Sequence, residues 1–241
     1  MTRLLSWESR RFFVATFLFS LYLTTWPLTF FRSDPLPETS PEAIDKLKHA
    51  PAVAGVDEKI RRRWSPRAFA DKEVSSETLK AIFEAARWAA SSSNEQPWRF
   101  LVGRRGDETY QKIFNSLVPG NQSWAKSAPV LILSVAKKTF TAKGNPNRTA
   151  LHDTGAATAT LSLQATASGL HTHSMAGFDS DQVRASFAIP SDYEIGAVIA
   201  IGYFGEPSTL PEHLHKIEVA PRQRKPLEEI VFSDWEKPAQ L

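Results

Sequence analysis

Ala89-Ala90-Ser91-Ser92-Ser93-Asn94-Glu95-Gln96-Pro97-Trp98-Arg99-Phe100 stands where a helical pattern ends and an apolar run, Phe100 to Val102, begins. Upstream, Ser75 or Ser76 can cap a helix with Glu77 in its first turn. Leu79, Ile82, Phe83, Ala86 and Ala90 then recur at helical spacing, so the helix buries one face and delivers the serines at its end. Three serines leave the backbone unobstructed, Asn94 and Gln96 each carry a donor and an acceptor on one amide, and Pro97 holds the turn. A turn of this kind can read a flat ligand with a polar edge. By composition alone it is equally an ordinary polar loop that closes a helix.

Outward from this turn, the pattern predicts a strand at Phe100 to Gly103 and an amphipathic helix through Tyr110, Ile113, Phe114 and Leu117. A buried strand follows at Val130 to Ala136, and a central strand at Ile195 to Tyr203. Thr149 to Leu170 reads as a long helix, interrupted or ended by Gly169 near its C-terminus. It is rich in Gly, Ala and Thr, and small residues let backbones approach closely, so it packs tightly on other helices. Trp124 lies in a short connection, where it can wall a ligand face or pack beneath a loop.

Two basic segments invite an anion. Ile60 to Phe69 reads Ile-Arg-Arg-Arg-Trp-Ser-Pro-Arg-Ala-Phe, and Ala220 to Val231 reads Ala-Pro-Arg-Gln-Arg-Lys-Pro-Leu-Glu-Glu-Ile-Val. Each alone is an ordinary solvated charge run. Guanidinium groups and a hydroxyl that converge at Arg63, Ser65 and Arg67 could instead grip a phosphate bidentately. Between them, Met175 to Asp179 offers Gly177 for close backbone approach and Asp179 as the cap of a short helix, Ser180 to Phe187. His171, Thr172 and His173, with His152 as a third imidazole, have no neighbouring carboxylate or cysteine pattern, so no metal site is assigned.

Taken in order, these segments resemble the flavin-dependent nitroreductase family over about residues 56–231. Ser-Ser-x-Asn-x-Gln-Pro-Trp, Arg-x-Ser-x-Arg, the Asp-Thr-Gly-x-Ala helix, Gly-Phe-Asp and a basic-x-Arg-x-Pro-Leu ending all have counterparts here. The resemblance implies an α+β fold, a mixed, mostly antiparallel sheet flanked by helices. It implies a homodimer with FMN sites that include residues of both subunits. Cofactor contacts would come from Arg63, Trp64, Ser65, Arg67, Asn94, Gln96, Ala176, Gly177, Arg222 and Arg224. The arginines would anchor the phosphate, while Asn94 and the backbone near Gly177 would meet the ring. Some members carry a glutamate before that glycine; here the position is Ala176, so no role for that carboxylate carries over. NADPH or NADH would reduce the flavin, and a nitroaromatic, quinone or related small acceptor would take the electrons in a ping-pong sequence. No catalytic side chain is named, because the chemistry resides on the isoalloxazine. The family's inserted lid has no counterpart at Val118 to Pro129, which would leave the flavin face open.

Composition bounds the alternatives. The chain has 241 residues, 42% apolar and 23% charged, enough for one domain and an extension. With no cysteine, disulfides, thiolate metal sites, iron–sulfur clusters and thiol nucleophiles are excluded. A net charge of +3 does not point to nucleic acid. Residues 1–32 form a basic and apolar N-terminal segment. Its uncharged run, Phe12 to Phe31 between arginines, is about 20 residues, enough to cross a bilayer. It reads as an anchor, a secretory leader, or an upstream misplaced start with Val53 or Val56 as the true one. Location is accordingly cytoplasmic, with membrane contact through 12–31 if the anchor reading holds. Residues 33–55 read as a proline-rich linker with a short helix from Pro41 to His49, and 56–241 as the FMN domain. A membrane-anchored reductive dehalogenase of the same fold, a flavin-storing protein and a basic nucleic-acid module are the competing functions.

Overall fold

Seven of the eight residues in the stretch Val-Leu-Ile-Leu-Ser-Val-Ala-Lys are buried, and this stretch is one of the two inner strands of the sheet. In the computed structural model, which describes residues 40–241 other than Ala54, four strands form one sheet: β1 (Trp98–Arg104), β2 (Val130–Lys137), β3 (His171–Met175) and β4 (Tyr193–Gly202). Their order is β1-β2-β4-β3. All three pairings are antiparallel, so the parallel component expected of a mixed sheet is absent among the described residues. The apolar N-terminal run lies outside the described residues. Among these, no helix is long and apolar enough to cross a membrane.

Helices cover both faces. On one face, α3 (Ser76–Arg87) and α6 (Ala150–Ala167) bury Leu79, Ile82, Ala157, Leu161 and Ala165 against Ile132, Ile199 and Ile201. The other face holds α4 (Glu108–Ser116), α5 (Pro119–Ala125) and α7 (Ser180–Ser186), with Tyr110, Ile113, Trp124 and Val183 on Leu131, Leu133 and Ala200. Alternate residues of β2 and β4 thus enter two different cores, as a strand buried on both sides requires. Caps fix the helix starts: Ser75 accepts from Thr78 N at 3.1 Å, and Asp107 from Tyr110 N at 2.6 Å. Gly103 is needed for α4 to lie close on β1, because a Cβ there would overlap the Tyr110 backbone.

Several elements went unread in the sequence. The His-Thr-His segment is edge strand β3, α5 occupies the short connection around Trp124, and α8 (Glu212–Val219) follows the sheet. Trp124 is 2% exposed, stacked on Phe69 and 4.6 Å from the His173 ring, so it packs in the core and walls no ligand face. The segment read as a linker contains α1 (Pro41–Leu47), close to the short helix expected there, and this helix packs on the domain. Ile44 is buried, and Asp45 Oδ1 accepts from Trp64 Nε1 at 2.7 Å. The packed body therefore includes residues 40–50 as well as those from Val56.

Candidate functional site

α2 (Glu58–Arg62) ends where Arg63 turns into extended backbone. The chain then carries Arg63, Trp64, Ser65 and Arg67 along a cavity of about 460 Å³ shared with α8 and with Arg222 and Arg224 beyond it. Both basic segments thus meet at one place. Arg63 Nη1 donates to Ser65 Oγ at 3.2 Å, so guanidinium and hydroxyl point together. Six cationic side chains line the cavity, Lys48, Arg63, Arg67, Lys216, Arg222 and Arg224, against one carboxylate, Glu218. Burial and the neighbouring Arg224 charge lower the pKa of Arg63; burial, Arg224 and Arg63 lower that of Arg222. Cations that depress one another are relieved by an entering anion.

Not every expected contact is free for a ligand. The Trp64 indole is 3% exposed, hydrogen-bonded to Asp45 and edge-on to His171 and Phe204, so its side chain supports the cavity from behind. Arg222 Nη1 donates to the carbonyls of Lys48 at 2.7 Å, Arg63 at 3.0 Å and Arg61 at 3.4 Å, tying the cavity walls together with one of its nitrogens.

Glu218, Lys48 and Lys216 were not singled out from sequence. Glu218 is 1% exposed; its Oε1 accepts from Arg67 N at 2.6 Å and Ala68 N at 2.9 Å. Burial raises its pKa, opposed by those two amides and by the charges of Arg67 and Lys48. The carboxylate thus fixes the loop that presents Arg67, with Oε1 holding both amides and Oε2 facing Arg67 Nη1 at 3.9 Å. A readable signal existed: Leu214 and Glu218 are one helical turn apart on the buried face, and a carboxylate at a core position requires partners. Glu218→Ala is expected to lower stability by roughly 2 kcal/mol, since two buried amides lose their acceptor while one buried charge disappears. Urea unfolding measures it, and an unchanged midpoint would remove this role.

The two strand histidines are structural. His173 Nδ1 donates to Pro66 O at 2.9 Å, holding the loop between Ser65 and Arg67. Burial depresses the pKa of both His171 and His173 to about 4. His152 sits on α6 with its ring exposed.

The serine-rich turn is built differently. Ser93, Asn94 and Gln96 have φ of 52°, 53° and 51°, three non-glycine residues in the left-handed region, at a cost of about 1–2 kcal/mol each. Ser92 N donates to Asp153 Oδ2 at 3.0 Å, Gln96 N to Ser91 Oγ at 3.0 Å, and Thr141 N to Glu95 Oε2 at 3.0 Å. Asn94 is exposed, and its side-chain amide makes no hydrogen bond among the described residues. The surrounding bonds hold the three left-handed residues in place and leave the Asn94 amide exposed at the apex.

Asn94 and Gln96 do not line the arginine cavity. The turn is bound to Asp153 near the start of α6, whereas Trp64 rests on His171, beyond the end of α6. From Asp153 to Ala167 the helix rises about 21 Å. Ala176 and Gly177 also lie outside the cavity, three and four residues along from His173. Gly177 is held by Asn121 Nδ2 and Val118 N on its carbonyl, and a Cβ there would press on Asn121.

A sequence profile described as the Nitroreductase family matches residues 60–119 and 107–203, more than half of the chain. The chain belongs to the nitroreductase family. A solved structure described as an oxidoreductase containing FMN is 37% identical to this nitroreductase-family chain, with a TM-score of 0.72, over 76% of this chain and 94% of that one. A Mycolicibacterium smegmatis protein known only as an uncharacterised 15.4 kDa protein is 38% identical over 58% of this chain and 99% of its own. A Xanthomonas oryzae protein with the provisional name NADH dehydrogenase/NAD(P)H nitroreductase is 27% identical over 66% of this chain and 89% of its own.

Proposed function

We propose that this nitroreductase-family chain is an FMN-dependent oxidoreductase that takes electrons from NADH or NADPH and passes them to a nitroaromatic, quinone or related small acceptor. The observation that carries the reading is the convergence of Arg63, Ser65, Arg67, Arg222 and Arg224 on one cavity. Its donor set fits a phosphate monoester, because six cations face one carboxylate whose Oε1 already accepts two amides. FMN bound there would supply two-electron chemistry, accepting a hydride and releasing electrons to the acceptor. The names of an FMN-containing structural relative and of an NAD(P)H nitroreductase support the cofactor pair.

The chain's own residues would bind and orient. Arg63 and Ser65 would hold the phosphate, with Arg67 beside them on the Glu218-braced loop. β3 leads from His173, which bonds Pro66 O between Ser65 and Arg67, toward Ala176 and Gly177 just past its end, about 10 Å of extended chain, a span that a ribityl chain can bridge. Asn94 and Gln96 would meet the ring edge from a second copy of the chain. Three features support that homodimer. The two motif regions sit at opposite ends of α6, so a two-fold axis that sets α6 antiparallel to its mate would bring the turn of one protomer to the cavity of the other. α6 also exposes Leu151, Gly155, Ala159 and Ala167 on a helix that is apolar or small nearly all round, the composition of a buried helix. Finally, the C-terminal segment, with the hairpin β5 (Phe232–Asp234) and β6 (Lys237–Pro238), exposes Leu227, Ile230 and Trp235, the last at 84%. A tail so apolar is suited to wrapping a partner.

Steady-state turnover tests the function. With nicotinamide and a nitroaromatic or quinone both varied, double-reciprocal plots are expected to be parallel, as a ping-pong sequence requires. Absence of turnover with flavin fully bound would leave a storing or sensing protein.

A further inference from the structure

α1 lies ahead of the residues that the family profile matches, yet it reaches the cavity. The residue that ends it, Lys48, is 5% exposed and lines the same space as Arg63, Ser65 and Arg67. Its Nζ donates to Ile217 O at 3.0 Å and stands 5.1 Å from the Trp64 ring centroid. An ammonium has three donors, so two remain uncommitted. Lys48 takes part in no ion pair among the described residues, because Glu218 is held by the Arg67 and Ala68 amides and faces Arg67 Nη1 at 3.9 Å.

We infer that Lys48 is a further anion-binding residue of this cavity, delivered by α1, and that its ammonium contacts the phosphate of the ligand held by Arg63. The inference rests on the FMN reading above. A nearly buried ammonium with one hydrogen bond is costly unless an anion completes its shell. Glu218, the one carboxylate of the lining, attracts Lys48 from beyond ion-pair distance, while its hydrogen bonds go to the Arg67 and Ala68 amides. The helix is also anchored to hold the position. Ile44 is buried, Asp45 Oδ1 accepts from Trp64, Asp45 Oδ2 lies 3.3 Å from His49 Nε2, and the Lys48 carbonyl accepts from Arg222. Burial lowers the lysine's pKa while the Glu218 charge raises it, the balance of a cation that an incoming dianion would favour further. A chain begun at Val56 would keep every family motif and lose this cation.

Titrating the full-length apoprotein with FMN and, separately, with riboflavin tests this. Lys48→Met is expected to weaken FMN binding about 10- to 100-fold, the worth of one charge-assisted hydrogen bond, and to leave riboflavin affinity unchanged. Lys48→Arg should retain FMN binding within a few-fold. Equal losses for both flavins would make Lys48 a packing residue and overturn the inference. An unchanged FMN affinity in Lys48→Met, with Arg63→Ala impaired, would overturn it while the FMN reading stands. Failure of the unaltered chain to bind FMN would overturn both.

Discussion

Replacing Arg63 by alanine is expected to weaken FMN binding by at least about 100-fold while the chain keeps its fold. The size follows from removing two charge-assisted hydrogen bonds to a phosphate, each about 1.5–3 kcal/mol, at a tenfold change per 1.4 kcal/mol. The fold should survive because Arg63 is positioned by its backbone. Its carbonyl accepts from Arg222 and its amide donates to Lys59 O at 3.0 Å, while the guanidinium donates to Ser65 Oγ. Burial and the Arg224 charge lower its pKa, so its loss relieves a desolvated charge and a repulsion in the cavity. Apoprotein stability is therefore expected to stay level or rise slightly. Fluorescence titration with FMN and urea unfolding of the apoprotein separate the two effects. Unchanged flavin affinity would remove Arg63 from the site.

The second large effect is expected at Ala159→Arg. Ala159 is on the exposed face of α6, one helical turn from Gly155, where nothing lies within 4 Å of an added Cβ. A single protomer should accommodate the arginine there, because the side chain points away from its core. Two α6 helices in close contact should not, since the small residues that allow the approach would be replaced by a long cation. The variant is expected to be a folded monomer by sedimentation and to lose flavin by about 100-fold or more, because Asn94 and Gln96 of the mate no longer reach the cavity. A dimer that still binds FMN would place the interface elsewhere. A monomer with undiminished affinity would mean that one chain completes the site.

Sequence made the helix-to-strand handover, both basic segments and the α6 helix legible, because each rests on local signals. Ser75, Pro97 and the periodicity of α3 specify a cap, a turn and a buried stripe within a few residues of themselves. What escaped depended on distant partners. His171 and His173 carry no metal pattern in the sequence but no sign of their role either, and only the pairing of β3 with β4 shows that they face Trp64, Trp124 and the Pro66 carbonyl. Trp124 likewise has no local sign of its stacking on Phe69. Glu218 reads as a surface carboxylate until its face of α8 is known, and Lys48 as part of a linker until α1 is seen on Trp64. Nor does sequence show that Asn121 takes the space a Cβ at Gly177 would need, a second reason for glycine there.

The central claim is that this chain holds FMN as a working redox group, and an absorption spectrum tests it most directly. Purified full-length protein, incubated with FMN and freed of excess, is expected to show flavin bands at one equivalent per protomer. Those bands should bleach on anaerobic addition of NADH or NADPH and return when a nitroaromatic or quinone is added. A colourless protein that cannot be loaded with FMN would contradict the account.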